Sequence, residues 1–482
     1  MTCCRYCKQL RPTQGGDICR LTEVAKPVGD KERMLGSRML EGASFVENEG
    51  PFSFEKLNES RDAIRRNSIV LLMGGFLFFT SSHAQNLDLL EVNHSGKSKG
   101  MAGAGIATIA GASAFDLNPS GLAGTRNISI FTLASFTSYL YALSSQTTTL
   151  PSLTYSWNAS RFRFDNAAVV APVGNSVVVG AAYLRKISPF ISNEKRAITG
   201  STMFTQETFG DINAFSVAAG ATLAPGLSIG GSLYRLRDVV TSNVRGDFHG
   251  HDIDKWARLE NTIEGTMVRV GLQGELGAFR GGLVMTAPYD LEVRAKKSIS
   301  SDNLYANLLP AYDETVWHIP ASIGIGAGYT NSFATTVAVD VRFNRFEQTE
   351  TALNLYEYGS KPTWNDLIEA RAGIEFFPFE SVRLPVRFGY SYAPQLYAST
   401  DAQGINNNNL LQIVDYVTTT QNVIHAFTAG TTFTRGILTI HVGLEYAFLN
   451  VVRNVTGPFI SRDEYSEKRY TLAFGVEYNA GN

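Results

Sequence analysis

From Asn127 almost to its end, the chain alternates apolar and small or polar residues with a period of two. Ile440, Val442, Leu444, Tyr446 and Phe448 share one face, and His441, Gly443 and Glu445 share the other. Tyr470, Leu472, Phe474, Val476 and Tyr478 alternate in the same way with Thr471, Ala473, Gly475 and Glu477. Ile323, Ile325, Ala327 and Tyr329 do so against Ser322, Gly324, Gly326 and Gly328, and Val386, Phe388, Tyr390 and Tyr392 against Pro385, Arg387, Gly389 and Ser391. Successive side chains of a strand point to opposite sides, so such runs specify strands with one apolar and one small or polar face. No apolar run beyond Asn127 is long enough for a transmembrane helix.

A soluble β-sandwich alternates too, but its polar face meets solvent and its strands are usually shorter. Here the second face is rich in glycine, which suits a lumen, and aromatics stand near strand ends, as in the girdles of membrane barrels. The expected fold is all-β: a transmembrane antiparallel β-barrel of about 14 strands, each of about nine to eleven residues, an even number as bacterial barrels have. The polar stretches 187–212, 241–262, 296–318, 347–367 and 397–422 are expected as extracellular loops. Short turns at Pro172-Val173-Gly174-Asn175 and Ala224-Pro225-Gly226 are expected at the opposite end.

The N-terminal part reads differently. Residues 1–66 lack periodic apolar structure and hold all four cysteines, Cys3, Cys4, Cys7 and Cys19. Cys4 and Cys7 have the spacing of half a zinc site, without a second pair at a proper distance, so no metal site is expected. Residues 67–84 read as a signal peptide. Arg61, Arg65 and Arg66 precede the apolar run Ser68–Thr80, and Ser82-His83-Ala84 puts small residues at the cleavage positions. Residues 1–66 then stand upstream of an export signal, and the expectation is that they are an extension absent from the native protein, or disordered. Cleavage leaves a chain without cysteine, as suits an exported protein needing no disulfides.

Residues 85–126 form the next unit, ahead of the barrel at 127–482. Lys97 to Arg126 is rich in Gly and Ala and too poor in large apolar residues to build its own core. Gly100, Gly103, Gly105 and Gly111 permit tight bends, and Asp116-Leu117-Asn118-Pro119-Ser120-Gly121 reads as a turn. A flexible linker has such a composition. Joined directly to a barrel, a small compact segment suits a plug within the lumen.

This stretch, with its Gly100-Met101-Ala102-Gly103-Ala104-Gly105 run followed by Asn118-Pro119-Ser120-Gly121-Leu122-Ala123, resembles the N-terminal hatch of the FadL/TodX family. These are outer-membrane transporters of long-chain fatty acids and aromatic hydrocarbons. The family usually shows Asn-Pro-Ala, and here Ser120 takes the third place. Pro385 to Tyr392, Ile319 to Ser322 and Gly282 to Pro288 resemble three of the family's strands, in the same order. The resemblance implies fourteen strands, capture of apolar cargo at an outer groove, transfer to an inner pocket, hatch movement and lateral exit through the wall. It assigns the resting hatch contacts to Asn118, Pro119 and Ser120.

Charge and motifs exclude other classes. Of 42 basic and 44 acidic side chains, 12 and 10 lie in residues 1–84, so the remainder has net charge −4 and no basic field for nucleic acid. No nucleophile elbow, phosphate loop or dinucleotide fingerprint occurs, and neither enzyme activity nor a cofactor is expected. The cluster Asp247–Asp254 contains His249 and His251 but lacks a hydrolase order, and reads as a polar loop tip rather than a metal site. Arg371 and Arg387 fall on the small, polar face and should point into the lumen. There they would either hold a cargo carboxylate or pair with an acid such as Glu375.

The expected function is passive uptake of hydrophobic compounds across the outer membrane of a Gram-negative bacterium by a multi-pass barrel. A structural or secretion-associated barrel is the alternative, and a lipid hydrolase would need a Ser–His pair in the wall. An apolar lumen favours the transporter, and a charge-filled one the structural barrel. The expected partners are a hydrophobic small molecule, outer-membrane lipid and the barrel-assembly machinery.

Overall fold

The computed structural model describes residues 96–480, apart from the connections 148–152, 189–190, 197–201, 249–254, 300–312, 347–362, 365, 379–383, 395–397, 400–414, 418–422 and 457–460. Residues 1–66, the signal segment 67–84, positions 85–95 and His249–Asp254 lie outside the described residues.

The alternating segments form one closed antiparallel barrel of fourteen strands. In chain order they are β1 (Ile128–Thr147), β2 (Leu153–Val173), β3 (Val177–Ile187), β4 (Ile212–Ala224), β5 (Leu227–Phe248) and β6 (Lys255–Leu276). There follow β7, in two pieces (Phe279–Thr286 and Tyr289–Ile299), and β8, also in two (Glu314–Ile319 and Ser322–Thr330). The last six are β9 (Thr336–Asn344), β10 (Leu367–Phe376), β11 (Val386–Pro394), β12 (Val423–Arg435), β13 (Leu438–Thr456) and β14 (Ser461–Ala480). The ladder between β1 and β14 runs from Ile128–Ala480 to Thr147–Ser461 and closes the wall, leaving no free edge there. Among the described residues no helix is long and apolar enough to cross a membrane.

The faces follow the alternation. Ile323, Ile325, Val337, Val339, Val341, Ile368, Phe388, Leu444, Leu472 and Phe474 are exposed on the outside, an apolar belt of the kind that faces lipid. The partners in phase with Asp340, Glu375, Arg387 and His441 are buried within. Short turns close one end. Gly174, Gly226, Gly277 and Gly436 take φ of 73°, 77°, 60° and 60° there, in the left-handed region that glycine enters without strain.

Two expectations are corrected. The wall strands are not nine to eleven residues throughout: β1 and β14 have 20, β2 has 21, and β5 and β6 have 22 each. Much of 187–212, 241–262 and 296–318 is accordingly strand rather than loop. A hairpin, Ile191–Arg196 with Thr202–Phe209, pairs onto the upper half of β5. A ladder already nucleated inside the membrane belt extends beyond it wherever both neighbours can continue, since backbone pairing does not require an apolar face.

Three local irregularities have visible causes. Pro288 interrupts β7 and Pro320 interrupts β8, and the flanking pairs Thr286–Ser322 and Tyr289–Ile319 put these two prolines opposite one another. Neither can donate to a ladder. β2 carries a bulge at Asp165, between the pairs Leu133–Asn166 and Ala134–Phe164. β3 carries one at Lys186, between Arg185–Asn213 and Ile187–Ile212. The β2–β3 ladder ends at Asn166–Leu184, immediately beside both bulges. Above that pair, among the described residues, β2 is laddered to β1 alone.

Candidate functional site

Residues 96–126 pack against the inner faces of the strands near the short-turn end. Their local shape follows from composition. Gly103, Gly105 and Gly111 adopt positive φ and fold the chain back on itself. Asn118 is extended, as a residue before proline must be, and caps the short helical turn Pro119–Gly124. Its Oδ1 accepts from Ser120 N at 3.2 Å and from Ser120 Oγ at 2.8 Å. Its Nδ2 donates to Ile106 O at 2.9 Å, tying the two arms of the segment together, and to Leu272 O of β6 at 3.3 Å. Asn118, Pro119 and Ser120 are thus brought together and buried.

The wall is shaped to receive this backbone. Inward positions on ten strands are glycines lying directly against the segment. A Cβ on Gly271 would come 1.8 Å from Asn118 Oδ1, one on Gly230 2.4 Å from Pro119 C, and one on Gly389 2.4 Å from Met101 C. This is the close approach for which only glycine leaves room.

Polar anchors complete the seat. Asp116 is 2% exposed, and its carboxylate meets Lys186 Nζ of β3 and, at 3.3 Å, Arg269 Nη1 of β6. Arg269 also donates to the Asp116 carbonyl. The Tyr234 ring lies 4.7 Å from the Lys186 ammonium and 5.7 Å from the Arg269 guanidinium, so both cations rest against one aromatic ring. Opposite, Asp340 Oδ2 accepts from the amides of Gly105 and Ile106 at 2.7 and 3.0 Å. Gln273 Nε2 donates to Ile106 O at 2.8 Å, Thr428 Oγ1 bridges Gly100 O and Ala102 N, and Lys97 Nζ reaches Glu375 at 2.8 Å.

Sequence reasoning named Asn118, Pro119 and Ser120 but passed over Lys186, Arg269, Asp340 and Gln273. All four sit in the inward phase of their strands, and that phase was the available signal. Lys186 stands on the β3 bulge.

Arg387 and Arg371 both point inward. Arg387 Nε is 2.5 Å from Glu375 Oε2, and its Nη1 donates to Thr432 Oγ1 at 2.6 Å. Arg371 Nη2 is 2.6 Å from Glu369 Oε2. Thr432, His441 and Glu477 form a hydroxyl–imidazole–carboxylate row, at 2.9 and 3.5 Å. That row is closed off: the Gly96 backbone lies against the His441 ring, and the Thr432 oxygen is held by Arg387. Among the described residues no cluster of His, Cys, Asp and Glu is placed to hold a metal ion.

Beyond the segment, toward the long connections, one side of the lumen is apolar. Leu184, Ile187, Ile212, Leu236, Val240, Ile263, Met267, Leu291, Val293 and Trp317 form part of a single buried cluster on β3–β8. On the outer face of β2–β5 lies a recess of about 620 Å³, lined by Ala167, Val169, Ala181, Phe215, Val217 and Leu233 among others. It sits beside the point where the β2–β3 ladder ends.

No protein-family model and no curated protein sequence matches the chain. Among solved structures, the fold is shared with a FadL homologue from Pseudomonas aeruginosa, at TM-score 0.56 and 10% identity, over 80% of this chain and 98% of that one. A mutant of the monoaromatic hydrocarbon channel TodX aligns at TM-score 0.50 and 15% identity, over 81% of this chain and 99% of the other.

Proposed function

We propose that this protein is an outer-membrane channel of the FadL/TodX kind, which takes up hydrophobic compounds passively in a Gram-negative bacterium and performs no chemistry on them. The observation that carries this reading is the lumen. An apolar cluster of inward side chains stands directly beyond the internal segment, where a purely structural barrel has no reason to bury Leu, Ile, Met and Trp away from lipid. Burial favours each CH₂ of a cargo by about 0.8 kcal/mol, so such a compartment holds alkyl or aromatic molecules against water. The two solved structures sharing the fold are consistent with it.

In this reading residues 96–126 act as a hatch. Every polar anchor of the segment is a discrete contact to a named wall residue, so it can be released piecewise without unzipping a strand. Cargo then leaves sideways, at the seam between β2 and β3, where backbone pairing stops beyond Asn166–Leu184 and where Ala167, Ala168, Ala181 and Ala182, in the last paired rows before that point, thin the wall. Lateral exit delivers an apolar molecule to lipid without crossing water. Outer-membrane lipid and the barrel-assembly machinery are the further partners this requires.

The test is uptake into proteoliposomes and whole cells of a long-chain fatty acid and of toluene. The reading predicts saturable uptake of at least one. Replacing Asn118 and Pro119 together by Ala should change its rate while heat-resistant barrel migration on gels persists. A barrel that assembles but takes up neither compound is structural or secretion-associated instead.

A further inference from the structure

The apolar cluster contains polar atoms that the fold leaves without partners. Asn261 of β6 is 0% exposed, and neither its Oδ1 nor its Nδ2 has a hydrogen-bond partner. Trp317 of β8 is 1% exposed and its Nε1 is equally unpartnered. Both belong to the apolar side of the lumen. Asn261 lies opposite Val240 and Ala295, in the row above Ile263 and Val293. Trp317 lies in the row below, opposite Leu291, which in turn faces Gly265. Their Cα atoms are about 13 Å apart along the strands and about 10 Å across them, so one cargo molecule can touch both.

A buried carboxamide without partners is costly, and native proteins retain few of them. Its chemistry says what would satisfy it: a group that donates to Oδ1 and accepts from Nδ2 at once. A neutral hydroxyl does both, whereas a carboxylate can only accept. The inward cations on either side are already taken, Arg269 by Asp116 and Lys297 by Asp313 at 3.1 Å. The arginines expected to read a carboxylate, Arg371 and Arg387, are paired on other strands.

Resting on the uptake reading, we propose that Asn261 is the specificity-determining residue of the lumen. It selects apolar molecules bearing an uncharged hydroxyl or comparable polar end, with Trp317 Nε1 donating to a second acceptor. The apolar body of the cargo lies against Ile263, Met267, Leu291 and Val293.

The experiment measures saturable binding of 1-octanol, 1,8-octanediol, octane and octanoate to the protein in lipid nanodiscs, corrected by empty discs. Asn261→Leu should weaken 1-octanol about tenfold, the worth of one hydrogen bond, and leave octane unchanged or tighter. Trp317→Phe should leave 1-octanol, whose one oxygen is held at Asn261, nearly unchanged and should weaken 1,8-octanediol, whose second hydroxyl can accept from Trp317 Nε1. Octanoate should bind the native protein more weakly than 1-octanol. Thermal unfolding gives a second readout independent of cargo: Asn261→Leu should raise the midpoint, because it removes an unsatisfied amide, whereas a structural role would lower it. Octane binding that saturates, combined with 1-octanol binding indifferent to Asn261→Leu, overturns this inference alone, as does octanoate binding tighter than 1-octanol. Absence of saturable binding by all four probes overturns the uptake reading as well.

Discussion

Asp116 of the internal segment and Lys186 of β3 form an ion pair that is buried on both sides, at 3% and 1% side-chain exposure. Lys186 reaches it from a β-bulge, where it keeps the inward phase of Ala182 and Leu184 while the extra residue turns Ile187 inward beside it. Arg269 approaches the same carboxylate from β6, so one acid on the segment compensates two cations of the wall.

That arrangement makes Asp116→Asn a severe change. It leaves two cations buried in a lumen wall with a neutral partner, and breaking a buried pair by removing one member costs about 3–5 kcal/mol. The loss should fall on the seating of the segment, since the strand ladders are untouched. Limited proteolysis should cut within residues 96–126 of the variant and spare the native protein, while both migrate as heat-resistant barrels.

The glycine seat predicts a position-dependent result from one kind of substitution. Gly230→Ala places a methyl group 2.4 Å from Pro119 C, where only backbone is available to yield. Gly274→Ala, on the neighbouring strand, meets nothing within 4 Å. The first should unseat the Pro119 turn and lower the thermal midpoint, since overpacking costs about 1–3 kcal/mol of stability. The second should behave as native. Equal effects at both sites would mean that the segment does not rest on the wall.

How much of this was legible beforehand depends on what period two can carry. It assigned the lumen side of Gly389, Arg387, His441 and Glu445 and the lipid side of Leu444 and Phe474, because burial of one face fixes phase. It also placed the turns at Gly174 and Gly226. Strand length was not legible, since the ladders of β5 and β6 continue through polar sequence on backbone pairing alone. The bulge at Asp165 had a faint signal. Arg161, Arg163 and Asp165 occupy one phase, Asn166, Ala168 and Val170 the other, and all of these from Arg163 onward are buried or nearly so. A phase slip in the pattern is a bulge in the wall. The pairing of Lys186 with Asp116 had no signal at all, because it joins residues 70 apart across the lumen.

Arg387 tests the carboxylate reading. Its guanidinium is held by Glu375 and Thr432, and Glu375 is shared with Lys97 of the segment. Arg387→Ala should therefore reduce uptake of a fatty acid and of an uncharged hydrocarbon by similar factors, through a loosened seat at Lys97. Selective loss of fatty-acid uptake, with hydrocarbon uptake intact, would assign the arginine to the cargo carboxylate instead.

The seam between β2 and β3 yields the last prediction. Ala181 lies in the outer recess with Ala167, and the two alanines leave room between the larger side chains of Phe215 and Val169. Ala181→Trp puts an indole into that space from the lipid side, where it replaces lipid contact and strains no core. Folding and thermal stability should stay within about 0.5 kcal/mol of native, as for a surface change. Saturable binding to the lumen in nanodiscs should also persist, because Ala181 lies on the outer face and the inward side chains of the apolar cluster are unchanged. Uptake should fall severalfold if cargo leaves through this part of the wall. Undiminished uptake, measured beside unchanged binding, would move the exit elsewhere. The adjacent breaks at Pro288 and Pro320, where the β7–β8 ladder is interrupted, would then be the next place to block.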